Sequence, residues 1–181
     1  MSGRLWVVLV VLAVLALGAG CALAWRSLVG GMSPGDLPSV AKTVAGLYPK
    51  VEQVDAEELV QMRQSDRPPI LLDVRATEEY RVSHIEGAVR AETFEEARVA
   101  LAGVPRDRPV VTYCSVGYRS SKLGQELIEA GWTDVSNLEG SIFGWANEGR
   151  PVMRDGKVVD EVHPYNERWG RLLKDELHSA P

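Results

Sequence analysis

Pro109-Val-Val-Thr-Tyr-Cys-Ser-Val-Gly-Tyr-Arg-Ser120 reads as a buried strand, a short loop and the start of a helix, with a cysteine at the first junction. Residues 109–113 are an apolar run of strand length. The loop that follows can turn its backbone amides toward the Cys114 sulfur. A helix signalled from Ser120 to Ala130 adds the positive end of its dipole, and Arg119 adds a full positive charge. Each favours thiolate over thiol, so Cys114 reads as a nucleophile. The plainer alternative is a small hydrophobe packed at a strand end. Gly117, Arg119 and Ser120 close behind the cysteine favour the reactive reading.

Outward from that stretch, strand and helix signals alternate. Residues 51–54 read as a first strand, and Asp55 with Glu58 as a capping box opening a helix to Gln64. Ile70-Leu-Leu-Asp-Val74 is a continuous apolar run of buried-strand type. A short helix carrying Glu78, Glu79 and Tyr80 follows, then a brief strand at 87–90. Thr93 with Glu96 caps a helix to Ala102. After the helix at 120–130, Gly131 reads as its C-terminal stop. A fifth strand at 135–138 and a short helix at 141–148 complete the series. The alternation predicts an α/β fold in three layers, a mainly parallel five-stranded sheet with helices on both faces. Sites in such sheets form beyond the carboxyl ends of strands, where Cys114 and Asp73 both lie.

The rest of the 181 residues bounds the setting. Leu5 to Trp25 carries no charge and as a helix would measure about 31 Å, enough to cross a bilayer core. It reads as a transmembrane anchor or a signal segment over residues 1–29. Ala22-Leu23-Ala24 offers a peptidase site, whereas the length of the run and its Trp25-Arg26 end favour an uncleaved, single-pass anchor. Arg4 and the α-amine on the N-terminal flank point to an extracytoplasmic globular domain. Residues 30–50, beginning with a Gly- and Pro-rich stretch, read as a linker. The domain then occupies 51–152, and 153–181 form an extension. There Trp169, Leu172, Leu173 and Leu177 stand at the spacing of a helix packing an apolar stripe on the domain. Beyond residue 30 the chain carries 18 basic and 25 acidic side chains, a net charge of about −7 that excludes a nucleic-acid footprint. The histidines lack metal-ligand spacing, and no metal is assigned.

Taken together the motifs resemble the rhodanese family of single-domain sulfurtransferases. The residues that carry the resemblance are Leu71-Leu-Asp-Val-Arg75, Glu79-Tyr80, Ser83-His-Ile-Glu-Gly-Ala88, the Cys-x-x-Gly-x-Arg-Ser loop at 114–120, and Asn137-Leu-Glu-Gly140 with Trp145 and Gly149-Arg-Pro-Val152. The resemblance implies a rhodanese-like fold and a two-step transfer. Cys114 takes the outer sulfur of a donor, thiosulfate or a persulfide, and passes it to a thiol or cyanide acceptor, with no cofactor. It also implies that Ser115, Val116, Gly117, Tyr118, Arg119 and Ser120 form the substrate loop, their amides cradling an anionic sulfur. Arg119 either contacts substrate or serves as an ion-pair partner. Asp73 and Arg75 support the loop, and Arg75 pairs with Glu79 across a helical turn. Cys114 and Arg119 enclose four residues, one fewer than in the Cys-x5-Arg loop of phosphatases. Ser141 stands where many members have glycine, with only a slight effect expected on the helix entry. Ser115 and Val116 add no positive charge, which disfavours the thiosulfate dianion as donor. The partners implied are a small sulfur donor, a thiol acceptor, either a small molecule or a protein, and a membrane through residues 5–25. The other reading is a non-catalytic rhodanese module that recruits a partner or senses oxidants.

Overall fold

A strand covered by helices front and back is apolar on both faces, and β4 (Val110–Tyr113) is buried along its whole length. In the computed structural model, which describes residues 35–180, it is the middle of five strands. The others are β1 (Glu52–Val54), β2 (Ile70–Asp73), β3 (Val89–Arg90) and β5 (Val135–Leu138). Every pairing is parallel, in the order β1-β5-β4-β2-β3. Asp73 lies beside Tyr113 in the ladder, so the two expected strand ends meet at the carboxyl end of the sheet.

Six helices and a hairpin surround the sheet: α1 (Leu37–Leu47), α2 (Ala56–Arg63), α3 (Thr77–Val82), α4 (Phe94–Ala100), α5 (Tyr118–Glu129), α6 (Ser141–Asn147), and β6 (Val152–Arg154) paired with β7 (Lys157–Val159). Alternation along the strands sends side chains to two cores. Leu71, Val111 and Tyr113 pack with Val44 of α1, Leu59 of α2 and Phe143 of α6. Leu72, Val110 and Cys114 pack with Ala97 of α4 and Leu127 of α5. The two capping boxes form as expected, Asp55 with Glu58 and Thr93 with Glu96. The expected α/β sheet with helical cover is therefore present.

The segment expected as linker contains α1. Asp36 caps it, accepting the Ser39 amide at 2.8 Å, and Pro38 sits in its first turn, where a proline has no intrahelical donor to lose. Val40, Ala41 and Val44 then face inward and are buried. The apolar stripe at 169–177 does not form a single helix. α7 (Glu167–Gly170) is followed by a turn and a 3-10 segment (Asp175–Leu177). Backbone groups that would continue the helix are taken elsewhere: Asn147 donates to the Leu172 carbonyl and accepts from the Lys174 amide. His178 Nε2 lies 3.0 Å from the Gly170 carbonyl and 3.2 Å from that of Leu173. The apolar residues still serve their expected purpose, with Leu172 and Leu173 buried in the core beside Val162. The segment Leu5–Trp25 lies outside the described residues. Among the described residues no helix is long and apolar enough to cross a membrane.

Candidate active site

Cys114 follows β4 directly and is 1 % exposed. Its Sγ accepts the Gly117 N–H at 3.2 Å. That bond requires Gly117 at φ +102°, in the left-handed region, where a Cβ would also stand 3.3 Å from Asn137 Nδ2. The turn makes Gly117 the residue preceding α5, so the helix begins at Tyr118, two residues before the expected start. α6 braces the other side of the loop. The Ile142 and Phe143 amides, free of intrahelical partners in its first turn, donate to the carbonyls of Cys114 and Ser115 at 3.2 Å each. The Ser120 hydroxyl lies 2.6 Å from Asn137 Oδ1 and 3.1 Å from the Gly117 carbonyl. Its single proton serves one of these acceptors at a time. Burial pushes the Cys114 thiol up. The Arg119 charge, the Ser120 hydroxyl and the amides of Ser120 and Val116 outweigh it and hold the thiol below its ordinary value.

Arg119 is an ion-pair partner, and the partner is Glu79 of α3. The pair is bidentate, with Nη1 to Oε2 and Nη2 to Oε1 both 2.8 Å. The Ser115 hydroxyl donates to the same carboxylate at 2.9 Å and accepts from Arg119 Nη2 at 3.0 Å. Burial alone would raise the Glu79 carboxyl, but Arg119, the Ala76 amide and Ser115 hold it below its ordinary value. The positive charge next to the thiol is therefore offset within the same cluster. Two aromatic contacts rim the loop. The Tyr165 ring covers Arg119, 4.8 Å from guanidinium carbon to ring centroid, and Tyr118 packs edge-on against Tyr48 at 5.5 Å.

Asp73 and Arg75 are wholly buried and form their own pair at 2.6 Å. Asp73 also accepts the Arg75 amide, and Arg75 Nη2 donates to the Ser83 carbonyl at 2.6 Å. They fasten the β2–α3 turn beneath the site. The expected Arg75–Glu79 pair does not form, because Asp73 lies closer along the chain and Glu79 is engaged by Arg119. Ser141 plays a larger part than expected. It takes φ +52°, a left-handed backbone, and its hydroxyl accepts the Cys114 amide at 3.2 Å, a bond glycine could not make.

The structure thus gathers Cys114, Ser115, Val116, Gly117, Arg119 and Ser120 around one sulfur and sets Asp73 and Arg75 behind them. Sequence reasoning missed Glu79 as the partner of Arg119. Its signal was the need of a half-buried loop arginine for a nearby carboxylate. Tyr165 and Val44 gave no signal, lying in segments read as extension and linker. Among the described residues no group of three or more metal-ligating side chains comes together.

A model of the rhodanese-like domain matches residues 55–148. Over 103 residues the chain is 31 % identical to a sulfurtransferase of Allochromatium vinosum, covering 57 % of this chain and 95 % of that protein. It is 28 % identical over 147 residues to the tRNA uridine(34) hydroxylase of Pectobacterium carotovorum, covering 78 % of this chain. It spans 40 % of the length of that relative. Among solved structures it resembles a thiosulfate sulfurtransferase from Pseudomonas aeruginosa, with TM-score 0.55 and 25 % identity over 67 % of this chain and 23 % of the other.

Proposed function

This chain belongs to the rhodanese-like domain family, and from that premise we propose that it is a sulfurtransferase that carries sulfur on Cys114. The observation that carries the reading is the Cys114 thiol, drawn below its ordinary value and accepting the Gly117 amide inside a buried loop. A thiolate so held is a nucleophile that needs no separate base. It attacks the outer sulfur of thiosulfate or of a persulfide. A bond forms between the two sulfurs, the donor's sulfur–sulfur bond breaks, and sulfite or a thiolate leaves with the electron pair. The amides of the loop then hold the terminal sulfur of the Cys114 persulfide. A thiol or cyanide acceptor removes that sulfur and restores the thiolate. Ser115, Val116, Gly117, Tyr118, Arg119 and Ser120 line the substrate side of the loop, with Asp73 and Arg75 as its support.

We infer further that residues 5–25 anchor the domain to a membrane by a single pass, with the domain on the extracytoplasmic side. Support comes from the uncharged length of the run and the basic residue preceding it. Resistance to alkaline extraction and digestion of the domain by external protease are the expected results. Release by alkali, or protection from protease, refutes the respective half.

The transfer reading is tested on the full-length chain by intact-mass spectrometry after incubation with thiosulfate or glutathione persulfide. A gain of about 32 Da on Cys114, removable by a thiol, is expected. A folded protein whose thiol alkylates but takes no sulfur from either donor refutes it, and leaves partner recruitment or redox sensing as the role of the domain.

A further inference from the structure

We propose that Tyr165 is a specificity-determining residue, its ring capping Arg119 so that the site accepts persulfide donors, at most singly charged at the reacting end, and disfavours small dianions such as thiosulfate. The inference rests on the sulfurtransferase reading above. Tyr165 lies outside the matched domain, which ends at residue 148, yet it stands on the one charged residue of the 114–120 loop.

Arg119 is already engaged by its neighbours. Both of its terminal nitrogens bond Glu79, and one also bonds Ser115. Its charge is matched by the same carboxylate, and its planar face lies 4.8 Å from the Tyr165 ring centroid. A small dianion entering a site this enclosed must shed a large hydration free energy and needs an unmatched cation in return. Glu79 matches the charge of Arg119 along one edge, and the Tyr165 ring covers the guanidinium face from which an anion could otherwise approach. A persulfide brings at most one charge at its reacting end, on a terminal sulfur that loop amides can meet.

The backbone of Tyr165 supports a functional reason for its position. The residue adopts φ +65°, an uncommon choice for a bulky side chain. It is held there by its own amide donating to His163 Nδ1 at 3.0 Å and by the Asn166 amide donating to the Pro164 carbonyl at 2.8 Å. Core packing does not account for the strain, since the residue is 45 % exposed. The ring lies over Arg119 instead.

In the reaction the Cys114 thiolate attacks the outer sulfur of R–S–SH. The new bond forms at Cys114, the donor's sulfur–sulfur bond breaks, and RS⁻ departs with the electron pair. With thiosulfate the departing group is sulfite, and the charge concentrated at the reacting end is twice as large.

The experiment compares kcat and KM for thiosulfate and for glutathione persulfide, with one thiol acceptor, in the full-length chain. Tyr165→Asn removes the ring and keeps a residue that tolerates the left-handed backbone; Tyr165→Phe keeps the ring. Wild type is expected to favour glutathione persulfide in kcat/KM. Tyr165→Asn should narrow that preference about tenfold, equivalent to about 1.4 kcal/mol, through a lower thiosulfate KM at nearly constant kcat. Tyr165→Phe should stay within about twofold of wild type, since the ring face supplies the cation contact. An unchanged ratio in Tyr165→Asn overturns the inference, as does an equal collapse in Tyr165→Phe. A wild-type preference for thiosulfate overturns it too, while leaving the sulfurtransferase reading intact. No transfer from either donor ends both.

Discussion

Glutamine in place of Glu79 keeps the side chain's volume and removes its charge, and the two consequences run in opposite directions. The carboxylate accepts two bonds from Arg119 at 2.8 Å, one from Ser115 at 2.9 Å and one from the Ala76 amide at 3.1 Å. The amide group of glutamine must turn its NH2 toward at least one of these donors. Removing one partner of a fully buried pair costs about 3–5 kcal/mol. The Arg119 side chain is 30 % exposed, and water recovers part of that, so a loss of about 2–3 kcal/mol is expected. With a urea slope of about 2 kcal/mol/M, the unfolding midpoint falls by about 1–1.5 M. The thiol responds the other way. Arg119, no longer neutralised, acts on Cys114 with its full charge and draws the thiol further down. Alkylation of Cys114 by iodoacetamide at neutral pH should therefore be faster in the less stable protein. A midpoint within about 0.3 M of wild type, or slower alkylation in the variant, refutes the reasoning. pH supplies a further check. The folded Glu79 carboxyl lies below its ordinary 4.5, so its contribution is complete above pH 4.5 and is lost as pH falls through the folded value. The urea midpoint of wild type should fall across that range more steeply than that of the glutamine variant.

Cys114→Ser should abolish sulfur transfer with the thermal midpoint little changed; residual transfer at the wild-type rate would remove Cys114 from the mechanism. The alkylation rate of wild type should titrate with a midpoint below the ordinary thiol value of 9.0, moving upward in Arg119→Gln, and a midpoint at or above 9.0 in wild type would sink the account of the loop. Gly117→Ala must hold a side chain at φ +102° against Asn137; at about 1–2 kcal/mol it should lower the melting temperature by about 3–6 °C and slow transfer. Unchanged values for both would mean the turn is less constrained than its geometry implies. A fragment starting at residue 51 loses the burial of Val40, Ala41 and Val44, worth about 3–5 kcal/mol. Its urea midpoint should lie well below that of a fragment starting at residue 34, and equal midpoints would refute a structural part for α1.

The sheet was legible because each strand announces itself by composition over four or five residues, and the capping boxes at Asp55 and Thr93 mark helix starts without reference to anything distant. The loop was legible for the same reason, since Cys114, Gly117 and Arg119 act on one another within six residues. What escaped was decided by partners far along the chain. Pro38 looked like a linker residue until Val40 and Val44 had a core to enter. The stripe at 169–177 has helical spacing, but Asn147 and His178 take the backbone groups a longer helix needs. Glu79 was visible as a motif residue, yet its choice of Arg119 over Arg75 depends on how α3 is set against the loop. Ser141 could be recognised as a substitution for glycine. That its hydroxyl would find the Cys114 amide required the backbone of α6.

Val44 comes within 3.7 Å of the space a Gly117 side chain would fill, and Tyr165 closes on Arg119 from the opposite end of the chain. Synthesis runs from the N-terminus, and domains fold in that order as they emerge. α1 and the strands are made before Tyr165 leaves the ribosome. A nascent chain can thus pair its central strands while the rim around its thiol is still open. Donor choice is thus a property the molecule acquires late, and a chain released short of residue 165 would carry the nucleophile without the ring that covers Arg119.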